Sequence, residues 1–306
     1  MKEITVSAPG KLMLFGEHAV VYNRLCVVTA VSSRIRVTIG RTPGRFVIDA
    51  PQVKDVRFVE EAVGLFQKKF KVGNGLTIKT ESDFSCQYGF GSSSAVTVAT
   101  LLALSKIFGK SLTKKEIFEL GYKTTLNIQG LGSGFDIAAA VYGGTVYFFT
   151  GGKVIEPLHI DSLPIIVGYS GVKADTPTIV KKLKRKMKKE RSKKENEDLF
   201  DSVQDIVERA KIELVKGNWK EVGTLMSENQ QILKGLGVST LKLDKMCEAA
   251  VKAGAYGAKL SGAGGGDCMI ALASSKERKE VEKAIKRVGG EIIPVDTGAQ
   301  GVKIEL

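Results

Sequence analysis

Apolar and polar residues alternate with a period of two at Ile4–Ala8 and again at Arg34–Ile39, which predicts strands. Between them runs S-A-P-G-K-L-M-L-F-G-E-H-A-V-V-Y, where Pro9 and Gly10 are expected to break the first strand and Gly16 to interrupt again. Val59, Val63, Phe66 and Phe70 fall on one face of a predicted helix over 55–70, and Gly75–Thr80 reads as another strand. From about Ser93 the pattern becomes apolar almost all round (Val96, Ala99, Leu102, Leu104, Ile107), the mark of a buried central helix. Thr113 followed by Glu116 predicts a capping box opening the next helix. Residues 145–155 read as a hairpin turning at Gly151 and Gly152, and Pro164–Tyr169 as a short buried strand. Helical periodicity then dominates to about Gly254, with a break at Lys193–Asn196. The end of the chain reads as strand (Ala258–Ser261), glycine turn, strand (Cys268–Ala273), helix (275–288) and two strands. This order predicts an α+β protein of two lobes, residues 1–165 and 166–306.

Composition changes this picture little. A hydrophobic fraction of 43% and a charged fraction of 26% are those of a soluble globular chain. No apolar run approaches the length of a membrane span, and the first residues read as a strand with no signal-peptide core, so a cytoplasmic location away from any membrane is expected. Cys26, Cys86, Cys247 and Cys268 are widely spaced, and with two histidines in the chain a zinc site is not expected. The net charge of +13 is concentrated in K-K-L-K-R-K-M-K-K-E-R-S-K-K (181–194). That run is a solvated helix face by default. It has no interleaved aromatics, which argues against nucleic acid as a partner.

The stretch C-Q-Y-G-F-G-S-S-S-A (86–95) carries the first chemistry. Glycines let the backbone approach a ligand, and the unpaired amides at a helix N-terminus attract anions. Serine hydroxyls suit Mg²⁺, a hard ion that takes oxygen ligands. An ordinary turn with a serine N-cap fits the same residues. Two further glycine-rich segments stand far away, A-P-G-K-L-M-L-F-G-E-H-A-V-V-Y (8–22) and K-L-S-G-A-G-G-G-D-C (259–268), and G-S-G-F-D (132–136) adds an aspartate at a glycine turn. Phosphate loops, a lysine, an aspartate and hydroxyls are the inventory of phosphoryl transfer.

In this order and spacing the three glycine segments resemble the three motifs of the GHMP kinases, and the resemblance spans nearly the whole chain. The phrases G-E-H-A-V-V-Y, V-G-Y-S-G-V-K-A-D-T (167–176) and A-G-A-Y-G-A-K-L-S-G-A-G-G-G (253–266) look like the members that phosphorylate mevalonate. Y-G-F-G-S-S-S-A-V-T-V-A-T and G-A-G-G-G-D-C are closer to those that phosphorylate 5-phosphomevalonate. The resemblance implies an N-terminal ribosomal protein S5 domain 2-like lobe and a C-terminal ferredoxin-like lobe, with ATP and acceptor in the cleft between them. It implies Asp136 and Lys11 as catalytic residues and Tyr88, Gly89, Phe90, Gly91, Ser92, Ser93, Ser94 and Ala95 as the nucleotide loop, with Ser93 as Mg²⁺ ligand. Glu17, His18, Thr176, Gly264 and Gly265 would be substrate-side residues. The partners it implies are ATP and mevalonate, with a homodimer allowed for; a catalytically silent sensor on the same fold is the alternative outside catalysis. Two positions depart from the pattern: Thr125 stands where a metal-binding glutamate is usual, and Ser85 replaces the proline that opens the second motif.

Overall fold

Strand β1 (Glu3–Phe15) passes straight through Pro9 and Gly10 instead of ending there. Its ladder with β2 (Leu25–Arg41) shifts register between Pro9 and Gly10 and again between Met13 and Phe15. A bulge absorbs a residue that lacks an N–H without ending the strand, which is why the expected break is a register shift. The shift also turns the Lys11 amide away from the ladder, and it donates to Phe90 O at 3.0 Å. The computed structural model describes residues 3–53, 55–73, 75–190 and 192–305, with the backbone alone at 190.

Among the described residues the first sheet has seven strands. Its main path is β11-β1-β2-β4-β3, where β3 is Phe46–Asp49, β4 Leu76–Ser82 and β11 Lys303–Ile304. On the other stretch of β2, β5 (Thr145–Phe149) pairs antiparallel, and β6 (Val154–Leu158) completes the expected hairpin. β3 and β4 are the parallel pair, joined through α1 (Arg57–Phe70), which buries Val59, Val63 and Phe66. Helix α2 (Ser92–Ile107) packs on β1 and β2 with α1, α3 (Lys114–Gln129) and α4 (Phe135–Tyr142) around it. Ala95, Val98, Ala99, Leu101, Ala103 and Leu104 are wholly buried, as expected of a central helix. Both bonds of the Thr113–Glu116 capping box are present at the start of α3.

The second sheet has the order β10-β7-β9-β8, all antiparallel, with β7 Ile165–Tyr169, β8 Gly257–Ser261, β9 Cys268–Leu272 and β10 Glu291–Ile293. In sequence this lobe runs β, helices, β, β, helix, β, the ferredoxin-like arrangement. The helical stretch comprises α5 (Thr176–Glu190), α6 (Lys193–Lys216), α7 (Trp219–Leu236) and α8 (Leu241–Lys252); α9 (Arg278–Arg287) crosses later. The predicted break at Lys193–Asn196 falls earlier, because Ser192 and Glu195 form a capping box and residues 193–196 are already in α6. Breaks at Gly217 and Gly237, both in left-handed conformation, were not foreseen.

The sheets part between Leu158 and Ile165. The last residues then return to the first lobe, where β11 pairs with β1. Buried Arg34 secures them, donating to Gln300 O at 2.7 Å and Gly301 O at 2.8 Å as well as to Ser7 Oγ at 2.6 Å. Among the described residues the four cysteines are free, with Cys26, Cys247 and Cys268 buried and Cys86 exposed. No described helix is long and apolar enough to cross a membrane. The basic run forms α5 and the start of α6, with Leu183 and Met187 buried beneath it; residue 191 and the side chain of 190 lie outside the described residues.

Candidate active site

A cavity of about 550 Å³ opens between the lobes, walled by β1, the N-terminal ends of α2, α4 and α5, and the glycine loop after β8. Lys11 reaches its floor from β1. The Lys11 ammonium lies 3.0 Å from Asp136 Oδ1 and donates to Gly89 O at 3.0 Å. Asp136 sits in the first turn of α4, where the helix dipole favours a carboxylate. Gly91 makes this convergence fit: its φ is +73°, and a Cβ there would stand 3.1 Å from Lys11 Cε and 3.5 Å from Asp136 Oδ1.

Gly91 is also the N-cap of α2, and no side chain caps that end. The Ser94 and Ala95 amides bond back to Gly91 O, which leaves those of Ser92 and Ser93 at the cavity for an anion. Gly89, Gly91, Ser92 and Ser93 therefore line the cavity. The rest of the expected nucleotide loop serves it from behind. Phe90, Ser94 and Ala95 are buried, and Tyr88 packs edge-on against Tyr169 with ring centroids 5.1 Å apart.

The substrate-side residues divide in the same way. His18 and Thr176 line the cavity. His18 Nε2 lies 2.9 Å from Ala263 O, and because a carbonyl can only accept, Nε2 carries the proton. Burial pushes the His18 pKa down to about 4; the bond to Ala263 opposes this and the Lys259 charge adds to it. The ring is thus neutral at pH 7, with Nδ1 as its acceptor nitrogen.

Glu17 is not on the cavity. Its side chain and that of Lys259 are both fully buried and form an ion pair, so the carboxylate is sealed from any ligand. Gly264 and Gly265 stand behind the wall as well. A Cβ on Gly264 would meet Val238 O at 2.2 Å, and the Gly265 amide donates to Val238 O at 2.8 Å; Gly262 and Ala263 are the parts of this loop that face the cavity.

Sequence reasoning missed Lys259, and also Asp267, a buried carboxylate on the cavity that accepts from the Ala174 amide at 2.9 Å. A lysine inside an otherwise apolar strand and an aspartate closing a glycine run were the available signals. Thr125 does not line the cavity, and its hydroxyl donates to Gly121 O of its own helix at 3.2 Å. No cluster of three or more histidine, cysteine or acidic side chains able to hold a metal occurs among the described residues. Side-chain oxygens on the cavity include the hydroxyls of Ser92, Ser93, Ser133 and Thr176, the Gln129 amide and the carboxylates of Asp136, Asp175 and Asp267. Mg²⁺ usually keeps several waters and binds through phosphate oxygens with one or two protein ligands, so this donor set fits an ion that arrives with a nucleotide.

Comparison with known proteins agrees with this architecture. A model described as GHMP kinases N terminal domain matches residues 57–144, and one described as GHMP kinases C terminal matches residues 210–291. The fold is thus that of the GHMP kinase class. A mevalonate kinase of Thermococcus sibiricus is 36% identical over 99% of this chain and 98% of its own length. The crystal structure of L. major mevalonate kinase in complex with R-mevalonate is 26% identical with a TM-score of 0.82, covering 98% of this chain and 96% of that one. The chain belongs to the mevalonate kinase family of the GHMP kinases. Streptococcus pneumoniae phosphomevalonate kinase in complex with phosphomevalonate and AMPPNP is similar too, with a TM-score of 0.85 at 19% identity over 97% of this chain and all of that one. At that identity the likeness is one of fold.

Proposed function

We propose that this protein transfers the γ-phosphoryl group of ATP to the primary hydroxyl of mevalonate. The observation that carries the reading is the Lys11–Asp136 pair, 3.0 Å apart on the cavity floor beside the uncapped end of α2. Asp136 accepts the acceptor hydroxyl's proton as its oxygen bonds to phosphorus and the bond to ADP breaks. Lys11 offsets the charge that gathers between the reacting oxygens, and the Ser92 and Ser93 amides hold the phosphates. Ser93, whose residue lines the cavity, would hold the Mg²⁺ that accompanies ATP, and that ion would supply neutralisation of phosphate charge. Neutral His18 offers Nδ1 to an acceptor hydroxyl, and Thr176, at the N-terminal end of α5, stands where an acceptor carboxylate is favoured.

Charge on the lining favours mevalonate over 5-phosphomevalonate. Asp136, Asp175 and Asp267 face the described cavity against Lys11 and Lys173, and His18 adds no charge. Lys11 is already engaged by Asp136, and Lys173 donates to Cys86 O. A second dianion beside the triphosphate would lack a partner, which is costly in a partly desolvated site.

Coupled ADP release with mevalonate tests the reading against a silent sensor. Wild-type protein should release ADP only when mevalonate is present. Asp136→Asn, which keeps the shape and loses the base, should fall in kcat by at least ~10²-fold with the fold intact. Absence of mevalonate-dependent ADP release from the wild type, or more than half the activity in the variant, contradicts it.

A further inference from the structure

We propose that the buried Glu17–Lys259 pair is a positioning device for acceptor binding, fixing the His18 turn of the first lobe against the glycine loop of the second. The inference rests on the reading of mevalonate as acceptor.

Three polar ties cross the seam between the lobes within a few residues of each other. Met13 N donates to Ser261 Oγ at 3.0 Å, and Ser261 Oγ donates to Met13 O at 2.9 Å, where β1 has its second register shift. Glu17 Oε1 accepts from Lys259 Nζ, which also donates to Leu260 O at 2.7 Å. His18 Nε2 donates to Ala263 O. Glu17 directly precedes His18, while Lys259 lies four residues before Ala263 on the strand that feeds the glycine loop. The pair thus sits one layer behind both partners of the His18–Ala263 bond.

The two side chains have no solvent exposure, so neither touches substrate, and Glu17 Oε2 has no hydrogen-bond partner among the described residues. A pair this dry is a weak source of stability, since desolvation offsets most of the attraction between the charges. What it supplies is geometry. A charged contact at full burial admits few arrangements, and His18 holds a backbone conformation with φ +61° that a loose turn would relax. The nucleotide end is held by other contacts, the Lys11 bond to Gly89 and the α2 terminus, none of which involves Glu17 or Lys259.

The test is the double variant Glu17→Gln/Lys259→Met, which removes both charges at nearly constant volume and avoids an unpaired buried ion. Expected is a folded protein whose KM for mevalonate rises at least ~10-fold, while KM for ATP stays within about twofold, as displacement of a positioning group predicts. Should the double variant not fold, Glu17→Asp, which keeps the charge and shortens the arm by one methylene, carries the same expectation. An unchanged KM for mevalonate, or equal loss for both substrates, overturns the proposal. Failure of the wild type to use mevalonate would instead overturn the functional reading, so the two failures are distinguishable.

Discussion

His18 turns a buried imidazole into a pH-dependent element of stability. In the unfolded chain it takes up a proton near pH 6.5, whereas in the fold burial holds its pKa at about 4. The depressed value means that the unfolded chain binds the proton first as pH falls. The contribution is therefore complete above about pH 6.5 and is lost progressively toward pH 4, by about 3 kcal/mol. Chemical denaturation of wild type and His18→Asn at several pH values between 7.5 and 4.5 checks this. The wild type should lose stability more steeply on acidification, and equal slopes would contradict the assignment. Lys11 and Asp136 were legible in the sequence because short glycine phrases carry them and local backbone geometry delivers them to the cavity. Glu17, expected on the substrate side, lies off the cavity, and its pairing was not legible because its partner lies 242 residues away and burial of both is a property of the closed seam between lobes.

Among the elements, α2 brings an N-terminus without a side-chain cap to the cavity. Its serines form the first turn of a helix whose remainder is mostly apolar, so the sequence marks both the element and the end that meets the cavity. Ser93 faces the cavity there, while the Thr125 hydroxyl is spent on its own helix. Ser93→Ala should raise the Mg²⁺ concentration needed for half-maximal ADP release more than Thr125→Ala does; equal or reversed effects would show that Ser93 is not the ligand. The strands were less legible at their breaks. Pro9 and Gly10 signal an interruption, but pairing with β2 on both sides turns it into a bulge that sets the Lys11 amide on Phe90 O. The helix boundary at Ser192 was displaced by a few residues, because charged periodicity continues through a capping box and masks it.

At the scale of the whole molecule, two lobes were legible from the order of strands and helices, but the return of the chain end to the first sheet was not. β11 is two residues long, and what holds that segment is Arg34, an inward-pointing cation in a strand that reads as ordinary alternation. The closed arrangement brings three distant glycine segments to one cavity whose described lining carries three carboxylates against two ammonium groups. That balance bears on the central claim, the choice of acceptor, and side-by-side turnover of mevalonate and 5-phosphomevalonate at saturating Mg·ATP measures it most directly. The account predicts kcat/KM for mevalonate at least ~10²-fold higher, about 3 kcal/mol of discrimination. A preference for 5-phosphomevalonate would contradict it.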